Sequence, residues 1–290
     1  MLVTNDDGVH APGLAAITRA LRDWAAVATP ETREVVVVAP LANHSGASAA
    51  VGTVYERESI SYRRVRVQGA EDVPTYGVDA PPALAVLVGV LGGFGPRPDI
   101  VVSGINLGVN VGRSVLHSGT VGATLAGAQL GLRGLAVSLR AGFPPEHWET
   151  ASAVAVSLLP ALSAAQPRTV LNLNVPSVPL DQLRGVRRGR ISTSGLVKSA
   201  SDGGAWPPGG PQAGGAAEEG EVRLTLGAAV PTLGDLEGGN GDEAPHDDAA
   251  LVAAGFASLT AIVGVREDSA PGADDVVRAA LRQAERVIPR

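Results

Sequence analysis

Asp6 and Asp7 stand side by side in a turn, Asn5-Asp6-Asp7-Gly8, directly after the short aliphatic run Leu2-Val3. Adjacent carboxylates repel one another unless positive charge lies beside them, and a hard divalent cation is the compensation their oxygens favour. The same residues also fit a solvated Asx-turn in which Asn5 and Asp6 cap backbone amides. Two later loops carry further oxygen donors: Ser45 in residues 41–48, and Asn106 and Asn110 in the Gly-rich residues 103–112. Together these supply two carboxylates, a hydroxyl and an amide oxygen. That set suits Mg²⁺, Mn²⁺ or Ca²⁺ and not the His and Cys sites that hold zinc. A second group, Ser103-Gly104 and Ser118-Gly119-Thr120, offers backbone amides and hydroxyls to an anion, the latter at the entrance of a helix. The plainer readings of those segments are a flexible Gly-rich loop and an N-cap. Metal and anion cradle together, with no covalent nucleophile, point to hydrolysis of a phosphate ester by water.

A doubly wound α/β sheet would bring these groups to one edge. Residues 35–39, 99–102, 135–139 and 170–176 read as buried strands beside the first, their aliphatic runs continuous as parallel strands covered on both faces require. Helical spacing over 14–24, over a stretch opened by Pro81 and Pro82, over 121–130 and over 148–162 alternates with them. In such sheets the loops after the parallel strands share one crevice, where ligands bind. Between Val51 and Val78 the pattern alternates and is Arg-rich (Arg63, Arg64, Arg66), which predicts short antiparallel or edge strands with a wet face. From Val186 the order decays. Residues 199–246 read as a hairpin excursion around the alternating piece 221–226, followed by a strand over 257–263 and an amphipathic helix over 274–287.

The composition excludes several classes. The 290 residues are 45% hydrophobic but only 3% aromatic, so the core is built from Val, Leu, Ala and Ile. A net charge of −6 argues against a nucleic-acid surface. No cysteine is present for disulfide or thiolate chemistry. No aliphatic run reaches membrane-spanning length and Asp6 and Asp7 interrupt any signal-peptide reading, so a cytoplasmic protein is expected. No Gly-x-Gly-x-x-Gly follows the first strand, which sets aside a dinucleotide oxidoreductase. A glycosidase would place its carboxylates across a sugar, not adjacent in one turn.

The segments Thr4-Asn5-Asp6-Asp7-Gly8-Val9-His10-Ala11-Pro12-Gly13, Asn43-His44-Ser45-Gly46-Ala47-Ser48 and Val102-Ser103-Gly104-Ile105-Asn106-Leu107-Gly108 resemble the SurE family. So do His117-Ser118-Gly119-Thr120-Val121 and Leu173-Asn174-Val175-Pro176. The resemblance covers roughly residues 2–176 and resumes weakly around 248–260. It implies a metal-dependent 5′/3′-nucleotidase, with Asp6, Asp7, Ser45 and Asn106 as ligands of one divalent metal (Mg, Mn or Ca) per subunit. Asn110, Ser118, Gly119 and Thr120 match the phosphate pocket, beside which Asn5, Ser103 and Gly104 are candidates. It also implies a Rossmann-like, mostly parallel sheet flanked by helices, a protruding β-hairpin, and a C-terminal helix exchanged within a homodimer or homotetramer. The organisation expected is a catalytic core over 1–190, a hairpin excursion taking part in oligomerisation over 191–247, and a closing strand and helix over 248–290.

Departures concern substrate more than chemistry. Leu41-Ala42-Asn43-His44 replaces a usually charged stretch, Asp79-Ala80-Pro81-Pro82-Ala83 replaces a Gly-Thr-Pro segment, and His117 stands where tyrosine is common. The expected reaction is in-line attack of water on a nucleoside monophosphate or another small phosphate ester, with Asp6 or Asp7 assisting deprotonation. His117 is the candidate proton donor to the leaving alkoxide, since imidazole titrates near neutrality. The rival readings are a broad-specificity acid phosphatase or exopolyphosphatase, and a non-catalytic metal or nucleotide sensor.

Overall fold

A computed structural model describes residues 1–27, 34–52, 54, 58–142, 144–193, 246–265 and 275–278. The first strand, β1 (Leu2–Thr4), lies inside a nine-stranded sheet, fourth from one edge. On one side lie β2 (Val36–Pro40), β4 (Thr75–Val78) and β3 (Tyr62–Val65); on the other lie β5 (Ile100–Leu107), β6 (Arg133–Leu139) and β7 (Val170–Val175). Beyond β7 come β9 (Ala257–Ile262) and the edge strand β8 (Val186–Arg188). The strands from β4 through β7 are parallel; β3 pairs antiparallel with β4, and β9 antiparallel with β7.

The aliphatic strands alternate their side chains between two covered faces. Val3, Val37, Val102, Leu135 and Leu173 pack with Leu14, Ile17 and Leu21 of α1 (Pro12–Val27) and with Val154, Ala155 and Leu159 of α4 (Trp148–Ala164). Leu2, Val38 and Val101 pack on the other face with Leu84, Val86 and Val90 of α2 (Pro82–Val90) and with Ala123 of α3 (Gly119–Gln129). Both faces being dry explains why these strands read as unbroken aliphatic runs. The Arg-rich segment behaves as expected: β3 is an edge strand whose Tyr62, Arg63 and Arg64 are exposed.

Two expectations change. Residues 103–107 were expected in a loop, but β5 continues through them, because pairing with β6 resumes at Asn106↔Ser138 after a register shift past Ser103. Gly104 makes that irregularity possible, with φ +136 and its α-carbon so near β6 that a Cβ would lie 2.3 Å from the Val137 carbonyl oxygen. The elements β8 and α5 (Asp248–Ala253) were not anticipated at all. The hairpin expected over 199–246 lies, but for His246, outside the described residues. Of the helix expected over 274–287, residues 275–278 are described, helical and exposed. No helix among the described residues is long and apolar enough to cross a membrane.

Gly104→Ala would combine a disallowed φ with a collision against backbone. The expected cost is about 2–5 kcal/mol, read as a lowered urea midpoint at unchanged m-value; an unchanged midpoint would contradict the bulge geometry.

Candidate functional site

The chain turns back at β1, leaving β2 on one side and β5 on the other. The crevice beyond the carboxyl ends of those three strands is the topological switch point of the sheet. The three loops singled out in the sequence meet there. Asn5 closes the β1 turn by donating from Nδ2 to the Gly8 carbonyl at 2.9 Å, and both Asn5 and Asp6 are buried. The loop after β2 is tied to this turn by the His44 N–H, which donates to the Asp6 carbonyl at 2.7 Å. Ser45 follows at once, exposed, its N–H donating to Asn43 Oδ1 at 2.8 Å. At the end of β5 the Leu107 N–H donates to Asp7 Oδ2 at 3.3 Å. Beside it Asn106 donates from Nδ2 to the Gly108 carbonyl at 2.6 Å, leaving its amide oxygen for another partner.

The anion side is joined to the carboxylate side directly. Thr120 Oγ1 donates to Asp6 Oδ1 at 2.5 Å, so the Asp6 carboxylate sits at the positive end of α3. Gly119 permits the approach: a Cβ there would lie 2.8 Å from Asp6 Cβ and 2.9 Å from Oδ2. Ser118 is the N-cap of α3, its oxygen accepting from the Val121 N–H at 3.1 Å, which leaves the hydroxyl proton free to donate. The capping reading and the anion reading therefore coexist. His117 ends a 3-10 turn (Gly112–His117), is exposed, and its carbonyl accepts from the Ser48 N–H at 3.1 Å.

Three candidates are placed differently from a pocket wall. Ser103 lies inside β5 opposite Thr4, fully buried, and neither hydroxyl has a partner among the described residues. Gly104 shapes the strand, as above. Asn110 is held in a buried polar network: its N–H donates to Asn174 Oδ1 at 2.7 Å and its Nδ2 to Ser138 Oγ at 2.8 Å. Its carbonyl accepts from Asn172 and Asn174 at 2.8 and 3.0 Å. The sequence reading gave those two asparagines no role. The signal for them was present, because Asn172 and Asn174 are polar residues two apart in an aliphatic strand and so share one face. No local signal marks Asp248, whose carboxylate accepts from the Gly112 N–H at 3.0 Å.

The groups able to hold a hard cation are Asp6, Asp7, the Ser45 hydroxyl and Asn106 Oδ1. Among the described residues no three His, Cys, Asp or Glu side chains converge, so the acidic part of any metal site here is this pair. The surroundings fit a cation. Burial, and then the charge of Asp6, pushes the Asp7 carboxyl above its ordinary range against the opposing Leu107 hydrogen bond. Asn5 Oδ1, in the same turn, is buried without a donor among the described residues. A positive ion would relieve the first strain, and its hydration could serve the second.

Fold and site together define a doubly wound α/β protein with an oxygen-only, anion-facing crevice at its switch point. The family model described as survival protein SurE matches residues 1–197, and the chain belongs to the SurE family. A curated relative from Cronobacter sakazakii, named 5′/3′-nucleotidase SurE, is 43% identical over 189 residues, 64% of this chain and 67% of the relative. One of the same name from Escherichia coli O1:K1 is 42% identical over 195 residues, 67% and 70% of the two chains. The crystal structure of the SurE protein from Aquifex aeolicus superposes with a TM-score of 0.68 at 24% identity, covering 96% of this chain and 98% of that one. That likeness bears on the fold alone.

The raised Asp7 pKa has a sign that can be read. The folded protein holds more protons than the unfolded chain between the unfolded value near 3.8 and the folded one, so stability falls as pH rises through that window. Asp7→Asn removes this loss. In chelator-treated protein at pH 7 its Tm should exceed the parent's by about 2 °C, with the gap closing at low pH. A variant less stable than the parent at pH 7 would contradict the repulsion.

Proposed function

We propose that the chain is a metal-dependent phosphomonoesterase that hydrolyses nucleoside 5′- and 3′-monophosphates to nucleoside and phosphate. The observation that carries the reading is the Thr120–Asp6 hydrogen bond, which joins a pair of carboxylates to a helix N-terminus built for an anion. The names of the relatives support the nucleotide as substrate. Asp6, Asp7, Ser45 and Asn106 would hold the divalent ion. Bound there, it supplies positive charge and acidifies water, so that no strong separate base is required. Asp6 or Asp7 assists by accepting the proton of the attacking water. The N–H groups at the start of α3, those of Gly119 and Thr120 among them, and the hydroxyl of Ser118 receive the phosphoryl oxygens, where charge builds up in the transition state. Water oxygen joins phosphorus as the ester P–O bond breaks, and the leaving oxygen takes a proton from His117.

The assembly we propose is a homodimer or homotetramer in the cytoplasm. The exposure of Val276 and Val277 in the described helical turn supports a partner for that C-terminal segment.

Phosphate release from a panel of nucleoside monophosphates, with Mn²⁺, Mg²⁺, Ca²⁺ or EDTA, tests the reading. Release should require the metal and fall about a hundredfold or more in Asp7→Asn, as loss of several kcal/mol of transition-state stabilisation implies. Folded protein that binds Mn²⁺ yet releases nothing would overturn the enzyme in favour of a sensor. His117→Ala should lower kcat about a hundredfold on a nucleotide, whose alkoxide needs a proton, and spare an aryl phosphate with a good leaving group. Equal effects on both substrates would remove His117 from the mechanism.

A further inference from the structure

Among the described residues, Asp248 is the one buried carboxylate near the site that this mechanism leaves unused. It is wholly inaccessible and stands at the start of α5, behind the N-cap Asp247, whose Oδ1 accepts from the Ala250 N–H at 2.7 Å. Its own two oxygens collect N–H groups from three stretches of chain. Oδ2 accepts from Gly112 at 3.0 Å; Oδ1 accepts from Ser192 and from Ala249, each at 2.9 Å. No ion pair to Asp248 is found among the described residues. Among the described residues its charge is met by backbone N–H groups, and burial pushes its carboxyl up despite them. Such a group is costly to keep unless its several acceptor sites are needed. An asparagine could offer only one oxygen, and its NH₂ would face amide hydrogens.

Gly112 shows what the carboxylate holds. It lies between the two halves of the candidate site, two residues after Asn110 and at the start of the 3-10 turn that delivers His117 and Ser118 to α3. It is buried, with φ +56, and its N–H donates to Asp248. The segment is thus pinned at one point by Asn172 and Asn174, through the Asn110 backbone, and at the next by Asp248. Asp248 is itself fixed, its N–H donating to the Arg190 carbonyl at 2.8 Å while the Arg190 N–H donates to the His246 carbonyl at 2.9 Å. Two candidate metal donors are held otherwise, Asp7 by Leu107 and Asn106 by its pairing with β6, while Asp6 is bonded to Thr120 at the helix entrance.

We infer that Asp248 is a positioning residue for the phosphate side of the site: through Gly112 it sets where the entrance of α3 presents Ser118, Gly119 and Thr120, and it reaches the metal side indirectly, through the Thr120–Asp6 bond. This rests on the phosphatase reading for its kinetic consequence but not for its binding consequence. Asp248→Asn, nearly isosteric, gives up one acceptor; Asp248→Ala gives up all three contacts. In the full-length protein we would measure inorganic phosphate binding in the presence of Mn²⁺, Mn²⁺ binding alone, KM and kcat on the best nucleotide, and Tm. Asp248→Asn is expected to weaken phosphate binding and raise KM about tenfold, with Mn²⁺ affinity within twofold of the parent and kcat changed less than KM. Where Asp248→Ala folds, it should exceed the asparagine variant in the same direction. A lowered Tm with phosphate affinity and KM unchanged in Asp248→Asn would show a merely structural anchor and overturn the inference. A parent protein without turnover would sink the phosphatase reading, and the phosphate-binding comparison would still decide the role of Asp248.

Discussion

Two carboxylates at the end of a buried strand, with no cationic side chain bonded to either among the described residues, are the constraint on which this site depends. Asp6 cannot be solvated freely because it is buried, and Asp7 shares its field. The fold meets half of that demand with α3, whose N-terminal end and Thr120 hydroxyl face the Asp6 carboxylate. The small residues of the helix entrance follow from this. A side chain at Gly119 would strike Asp6, so the residue that makes the approach possible also leaves room for an anion. The unmet half, the raised Asp7 carboxyl, is what makes a hard cation a physical expectation rather than a decoration of the motif.

The surrounding sheet serves to hold three loops still relative to that pair. The Asp turn is tied to the β2 loop through the Asp6 carbonyl and to β5 through the Leu107 N–H. Behind them, Asn110, Ser138, Asn172 and Asn174 form a polar layer inside an otherwise aliphatic interior. Burying four such groups is tolerable because most of their polar atoms satisfy each other, Asn172 Oδ1 alone of their fully buried side-chain atoms being without a partner among the described residues. Their mutual bonds fix the loop after β5 more rigidly than apolar packing would, since a hydrogen bond constrains direction as well as distance.

Much of this was legible in the chain because burial on both faces of a parallel strand leaves an unmistakable run, as in Val36-Val37-Val38-Ala39. The carboxylate turn, the serine loop and the helix entrance were legible because each is a local pattern following such a run. Three features were hidden, each for a physical reason. Ser103 and Gly104 have the composition of a loop; Ser103 is strand by pairing with Thr4 of β1 and Ala136 of β6, and Gly104 by lying between the two paired stretches of β5. Val186-Arg187-Arg188 is exposed throughout and becomes β8 only by pairing with β9, which arrives about seventy residues later. Asp248 reaches Gly112 across 136 residues, a contact that no spacing rule encodes.

The most direct test of the central claim is an anomalous-scattering map from crystals of the protein equilibrated with Mn²⁺. The account predicts a single strong peak per chain at the carboxyl ends of β1, β2 and β5. It should lie about 2.0–2.6 Å, the oxygen distance of hard divalent cations, from carboxylate oxygens of Asp6 and Asp7, with Ser45 and Asn106 completing the protein donors. A peak elsewhere, or none at Mn²⁺ concentrations that support phosphate release, would contradict it.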